Sequence, residues 1–238
     1  MVVLMNKLFF IVEGEHVEPQ VIKNMNKCIL KEINSEIVLS FGNNIYELYE
    51  KIKEKPYLNI IEILNKIKNK NYNPDEYTDI YLFFDYDGHD TKAADKKIKE
   101  MLKLFSNPTE NGKLYINYPM VESLKQLSLE DITYEISKCS NFKKYIENNI
   151  KNDLKNINHY SFDIWKEIIQ ANVKKVNFLF DKKFEICKRK EIKSQEEIFD
   201  CQEEKYINPQ REIFILNSFP LFICNFIKES YYNKLISN

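Results

Sequence analysis

Two apolar stretches of this chain each end in a knot of acids. Leu8-Phe9-Phe10-Ile11-Val12 runs into Glu13-Gly14-Glu15, and Ile80-Tyr81-Leu82-Phe83-Phe84 runs into Asp85-Tyr86-Asp87-Gly88-His89-Asp90. Short apolar runs rich in aromatic and β-branched residues read as buried strands. Carboxylates gathered beyond the carboxyl ends of parallel strands repel one another unless a hard cation bridges them, so the chemistry on offer is oxygen-ligated binding of an ion such as Mg²⁺. Alternate strand residues share a side, so Asp85 and Asp87 converge on one ion if the strand persists to Asp87. Glu13 joins them if the first and third strands are neighbours, because adjacent strands lie about 4.8 Å apart.

Other residues near these loops carry two readings each. Glu15 and Glu18 sit at a helix start, where negative charge is favoured, and Asp90 suits the N-cap of a helix beginning at Lys92; either Glu18 or Asp90 could instead assist the site. Gly14 and Gly88 let the backbone turn sharply beside the acids, as a ligand loop or an ordinary turn would require. His16 and His89 flank the acidic loops as candidates for phosphate contact or proton transfer, or as plain polar surface, whereas His159 opens a helical stretch and reads as structural. Glu122 follows a fourth strand and is equally a further metal acid or a first-turn helix glutamate. The run Lys182-Lys183-Phe184-Glu185-Ile186-Cys187-Lys188-Arg189-Lys190 is the densest basic patch. Such a run is a solvated face in most proteins, and here it is also the candidate nucleic-acid track.

The elements that must hold these residues alternate. Strands are expected at residues 7–12, 36–41, 80–84 and 114–117. Helical spacing follows Pro19 through Val21, Ile22, Met25, Cys28 and Ile29, and recurs at residues 45–53, 60–70 and 92–105. The stretch from Ser106 to Gly112 reads as a turn. Alternating βα units favour an α/β fold with a mainly parallel four-stranded sheet and flanking helices. Beyond Ser123 the strand signal fades, and Phe162, Trp165, Ile168, Ile169, Val173 and Val176 mark a long amphipathic helix. A boundary near Glu122 to Ser128 then divides an α/β part, residues 1–122, from a mostly helical part, residues 123–238. No Gly-, Pro- or Ser-rich linker marks it, so the two parts are expected to share an interface. The apolar cluster of Phe214, Phe219, Phe222 and Phe226 reads as core before interface.

Composition narrows the class. A length of 238 residues with 44% hydrophobic content supports a full core. The formal charge of -1 argues against holding nucleic acid by bulk electrostatics, so any such contact must be local. Arg189 and Arg211 are the only arginines, and lysine grips phosphate as a point charge without the planar fork of arginine. The five cysteines are scattered, with no zinc-like spacing, as suits a reducing cytoplasm. The opening Met1-Val2-Val3-Leu4-Met5 is too short for a signal-peptide core, and no stretch reaches the length of a membrane span, so a soluble cytoplasmic protein is expected.

At these residues the chain resembles a known family. A strand ending in Val12-Glu13-Gly14, a helix, a second βα unit and a strand ending in Asp85-Tyr86-Asp87 resemble the Toprim fold of topoisomerases, bacterial primases, M5-type ribonucleases and OLD-type nucleases. The pattern Pro119-x-x-Glu122-x-Leu124 is similar to a stretch of the RloB-like and abortive-infection Toprim proteins of phage defence, with Leu124 where tryptophan is commoner. The resemblance spans the first half of the chain. It implies Mg²⁺ or Mn²⁺ held by Glu13, Asp85 and Asp87, with Glu13 as general acid or base, and phosphodiester chemistry. It further implies a hydrolytic endonuclease of DNA, or of RNA such as tRNA, acting in antiviral defence beside an ATPase partner. A catalytically silent Toprim-like binding or sensing subunit is the alternative. The D-x-D-G of haloacid-dehalogenase-type phosphatases and the acids of receiver domains are lesser matches, since the first lacks its later Gly-Asp-x-x-x-Asp and the second its lysine after a fifth strand.

Overall fold

The structure, a computed structural model, describes residues 7–31, 35–90 and 93–237. The apolar start at residues 1–5 and the expected helix start at Lys92 lie outside them. The first half runs β1 (Lys7–Val12), α1 (Val17–Met25), β2 (Ser35–Ser40), α2 (Ile45–Glu54), α3 (Ile60–Lys68), β3 (Asp79–Asp85), α4 (Asp95–Leu104), β4 (Ser106–Asn107) and β5 (Gly112–Asn117). The second half runs β6 (Thr133–Glu135), α5 (Phe142–Asn149), α6 (Phe162–Asp181), α7 (Gln195–Gln202), the single turn α8 (Asn208–Gln210), β7 (Glu212–Phe214), α9 (Ser218–Phe226) and α10 (Glu229–Ile236).

The central sheet is α/β and mostly parallel, in the order β2-β1-β3-β5-β4. It has one strand more than the sequence suggests. The supposed turn at Ser106 contains β4, a two-residue edge strand antiparallel to β5. Two more short strands, β6 and β7, pair in the helical half. Strands of two or three residues carry no periodicity to read; their pairing comes from the long-range approach of β5 and β7 to their neighbours.

Alternate residues of the central strands feed two cores. Phe9, Ile11, Leu82 and Phe84 face α2, α3, α4 and α7, while Leu8, Phe10, Val12, Tyr81 and Phe83 face α1, α6, α9 and α10. Strands buried on both faces need continuous apolar runs, which is what the sequence supplies. Both cores mix residues from before and after position 122. Helix α9 shows how: Phe219 stacks on Phe83 at 4.1 Å between ring centroids, and Phe222 meets Phe10 and Tyr81 edge-on. Phe214, Phe219 and Phe222 are fully buried and Phe226 partly so, as expected of core. Among the described residues no helix is long and apolar enough to cross a membrane, and the five cysteines are all free.

Local signals set the helix starts. Asn44, Asn59, Ser161 and Ser194 cap α2, α3, α6 and α7 by accepting from the backbone one turn on, with full capping boxes at α3 and α7. Asp90 is not a cap. Helix α4 begins at Asp95 with Ala94 before it, and the Asp90 carboxylate instead accepts from Asn44 Nδ2 at 2.9 Å.

Lys175 of α6 is fully buried, and its Nζ donates to Gln126 O at 2.5 Å and Gln126 Oε1 at 2.8 Å. Burial without a carboxylate lowers its pKa to about 7. A lysine depressed in the folded state stabilises the fold fully above its unfolded value near 10.4, and that contribution is lost as pH falls toward the folded one. Chemical denaturation is therefore expected to show stability rising by roughly 2–4 kcal/mol between pH 7 and 10. Lys175→Met should flatten this rise; an unchanged slope in that variant would show that another group carries it.

Candidate functional site

Strand order decides the site. From β1 the chain crosses through α1 to β2 on one side, then returns through α2 and α3 to β3 on the other. Helix α1 lies on one face and α2 and α3 on the opposite face, so β1 and β3 flank a topological switch point. The crevice at the carboxyl ends of such a strand pair is where open α/β sheets bind ligands.

The predicted acids meet there. Val12 pairs with Phe83, the Glu13 N–H donates to Phe83 O at 3.1 Å, and the Asp85 N–H donates to Glu13 Oε2 at 3.0 Å. Glu13 thus turns toward the aspartate pair. The strand stops at Asp85, and Asp87 sits in the turn that follows, where Asp90 N–H donates to Asp87 O. Asp85 and Asp87 are therefore not successive residues of one strand face, as the alternation argument required. Asp87 stays close enough for its charge to act on Glu13.

Glu18, though in the first turn of α1, is only 4% exposed, and its Oε1 accepts from the Gly14 N–H at 2.9 Å. A Cβ at Gly14 would lie 2.7 Å from Glu18 Oε2, so this glycine admits the carboxylate to the loop. Glu122 is likewise buried, in the turn Val121–Lys125, and its charge bears on Glu18. Lys143 Nζ stands 4.0 Å from Glu122 Oε1. His89 is exposed, and its charge partly offsets the desolvation that raises the Asp87 carboxyl. His16 is exposed before α1 without a capping bond, and His159 is exposed at the end of a short turn.

Sequence reasoning missed Asn117 as a site residue. In register with Asp85 on β5 and fully buried, it donates from Nδ2 to Asp85 Oδ1 at 3.0 Å. Its Oδ1 accepts from Ser218 N at 3.1 Å and Ser218 Oγ at 2.8 Å, at the start of α9. Asn217 extends this buried network, donating to Val121 O and Ser123 Oγ from its side chain and to Asn172 Oδ1 of α6 from its backbone. The signal was a polar residue closing an apolar strand, Leu114-Tyr115-Ile116-Asn117, where burial demands a partner.

Electrostatics follow from burial. Desolvation pushes the Glu13 and Asp85 carboxyls well above their ordinary values, with Asp87 adding to the first and Glu13 and Glu18 to the second. Desolvation also raises Glu18 and Asp87. No ion pair among the described residues joins Glu13, Glu18, Asp85 or Asp87 to a lysine or arginine. As placed, the described His, Cys, Asp and Glu side chains form no group of three ready to hold a metal ion. The donor chemistry nonetheless suits a hard cation: these are buried or half-buried carboxylate oxygens without an ion-pair partner among the described residues, and Glu13 Oε1 and Asp85 Oδ2 stand outside the hydrogen bonds described.

The basic run lies elsewhere. Arg189 donates from Nε to Cys224 O and from Nη2 to Asn225 O, both at 2.7 Å, closing the end of α9. The start of α9 touches Asn117, so Arg189 stands about a helix length, roughly 12 Å, from the acids. Lys182 donates to Tyr206 Oη at 3.2 Å and lies over the Phe178 and Tyr206 rings. The segment is a helix end and a short turn, not a continuous solvated helix face carrying Lys183, Lys188 and Lys190. Comparison with protein-family models, curated proteins and solved structures found no match to this chain.

Proposed function

We propose that this chain is a Toprim-like, divalent-metal-dependent endonuclease that hydrolyses nucleic-acid phosphodiesters. The observation that carries the reading is the placement of buried Asp85 and half-buried Glu13 side by side at the switch point, with no ion pair to either from a lysine or arginine among the described residues. Structural ion pairs would come with a lysine or arginine; an acid cluster without one is built for a cation from outside.

Glu13, Asp85 and Asp87 would hold Mg²⁺ or Mn²⁺, with Glu122 and Glu18 adding negative charge from the neighbouring turn and helix. When bound, the ion would supply charge neutralisation at the scissile phosphate and an activated water. Asn117 fixes the Asp85 carboxylate through one oxygen. Glu13, its carboxyl raised chiefly by desolvation, is the general acid or base of this reading, and His89 lies beside Asp87 for phosphate contact or proton transfer. The resemblance extends the proposal to a cytoplasmic effector of antiviral defence that works with an ATPase partner.

A thermal-shift titration tests metal binding directly. Mg²⁺ or Mn²⁺ is expected to raise the melting temperature at pH 8 and to do so far less at pH 5, where the raised carboxyls keep their protons. Incubation with mixed DNA and RNA should then give cleavage only with the ion. A protein that neither ion stabilises at pH 8 and that cleaves nothing is the silent binding subunit instead.

A further inference from the structure

A cavity of about 770 Å³ opens at the end of the sheet opposite the acids. Asp79 and Tyr81, at the start of β3, line it, whereas Asp85 closes the same strand, roughly 20 Å away at about 3.3 Å per residue. The rest of the wall comes from the segment Ile29 to Lys31, from the end of α9 and from α10. Its volume falls in the range of small-molecule sites, about 300–1,000 Å³.

Its lining is cationic and aromatic. Lys31, Lys228 and Lys234 face one lining acid, Asp79, whose Oδ2 already accepts from Thr78 Oγ1 at 3.0 Å. All three lysines are exposed, and none forms an ion pair with a described residue. Lys234 Nζ also lies 5.8 Å from the centre of the Phe162 ring, and Glu229, exposed beside Lys228, is outside the lining. Two half-buried rings, Phe226 and Tyr231, sit among the lysines. Tyr231 is fixed by donation from Oη to Ile29 O at 3.0 Å, and Phe226 stands edge-on to Tyr81 with centroids 6.4 Å apart. Asn225 and Ser230 add neutral hydrogen-bonding groups.

We propose that this cavity binds a nucleoside phosphate, its phosphates on Lys31, Lys228 and Lys234 and its base against the Tyr231 and Phe226 rings. Three lysines against one carboxylate make the wall complementary to an anion, and lysine holds phosphate as a point charge. Fixed aromatic faces beside those charges are what a planar base stacks on. A bare phosphate would leave the rings unused, and an uncharged nucleoside would leave the lysines unused. From roughly 20 Å away the ligand does not touch Asp85, so it is not the substrate of the acids. The assignment goes beyond the nuclease reading and does not depend on it.

Isothermal titration calorimetry on the full chain tests it, in EDTA so that no metal bridges a phosphate to the acids. The probes are ATP, GTP, inorganic tripolyphosphate and adenosine. At least one of the two nucleotides is expected to bind, with tripolyphosphate and adenosine each weaker by about 10-fold or more. Lys228→Ala with Lys234→Ala should weaken the bound nucleotide at least about 10-fold, since hydrogen bonds to charged groups are the strong ones. Both lysines are exposed, so this variant is expected to melt like the wild type without ligand. Tyr231→Leu should weaken nucleotide binding where Tyr231→Phe keeps it, and Asp85→Asn should leave it unchanged. Binding of neither nucleotide, tripolyphosphate bound as tightly as the nucleotide, or an unchanged affinity in the Lys228 and Lys234 variant overturns the assignment. So does a nucleotide affinity that Asp85→Asn alters, which would place the ligand at the acids. Nucleotide binding of the expected kind without nucleic-acid cleavage under any metal would overturn the nuclease reading and leave this site standing.

Discussion

Asp85→Asn and Glu13→Gln are each expected to melt higher than the wild type in EDTA, and to have lost nucleic-acid cleavage by a factor of about 1,000 or more. The reason is the same burial that makes the site. Both carboxyls are raised well above their ordinary values, chiefly by desolvation and then by one another and by their acidic neighbours. A carboxyl raised in the folded state stabilises it below the unfolded pKa, and that contribution is lost as pH rises through the folded value. As pH rises the metal-free protein therefore bears a growing cost for ionising crowded, desolvated carboxyls. The amide removes a charge and keeps the hydrogen bonds, since an amide oxygen at either position can accept from the Asp85 N–H or from Asn117 Nδ2. Stabilisation of roughly 1–3 kcal/mol is expected at pH 8 and little at pH 4, with the metal-induced rise in melting temperature lost in both variants. Calorimetry across pH, with and without Mg²⁺, checks it. Variants that melt lower than the wild type at pH 8 would mean that these acids are paired for stability and not held for an ion.

The second large effect belongs to Asn117. Asn117→Ala should cost about 2–4 kcal/mol, because it orphans Ser218 at the start of α9 and strips Asp85 of its donor in one step. For a chain of this size that lowers the melting temperature by roughly 5–15 °C. As a positioning residue it should also raise the Mg²⁺ concentration needed for half-maximal cleavage by about 10- to 100-fold, the scale seen when a ligand loses its outer partner. A purely structural residue would lower stability and leave that midpoint unmoved in the folded fraction. Asn117→Asp, which keeps an acceptor for Ser218 but sets a charge against Asp85, should recover part of the stability and none of the metal affinity.

How far the sequence carried differs from residue to residue. The runs at residues 8–12 and 80–84 are buried strands because nothing else suits unbroken apolar stretches of that length, and Glu13 and Asp85 fall at their ends by counting. The helix starts at Asn44, Asn59, Ser161 and Ser194 were equally local matters. Asp90 misled because its type suits a cap while the chain spends four more residues before α4 begins. In the basic run, density alone says nothing of what each side chain touches: Arg189 closes a helix 35 residues away.

What the amino-acid order determined alone was the kind of element and the residue at its end, since propensity, period and capping act within a few residues. That β1 lies against β3, bringing Glu13 to Asp85 across 72 residues, was decided by tertiary structure. So was the burial of Glu18 and Glu122 beside them, and the tie from Asn117 to Ser218 across 101 residues. These contacts arise where two cores close on opposite faces of one sheet, and which polar groups are then sealed in depends on the whole chain at once.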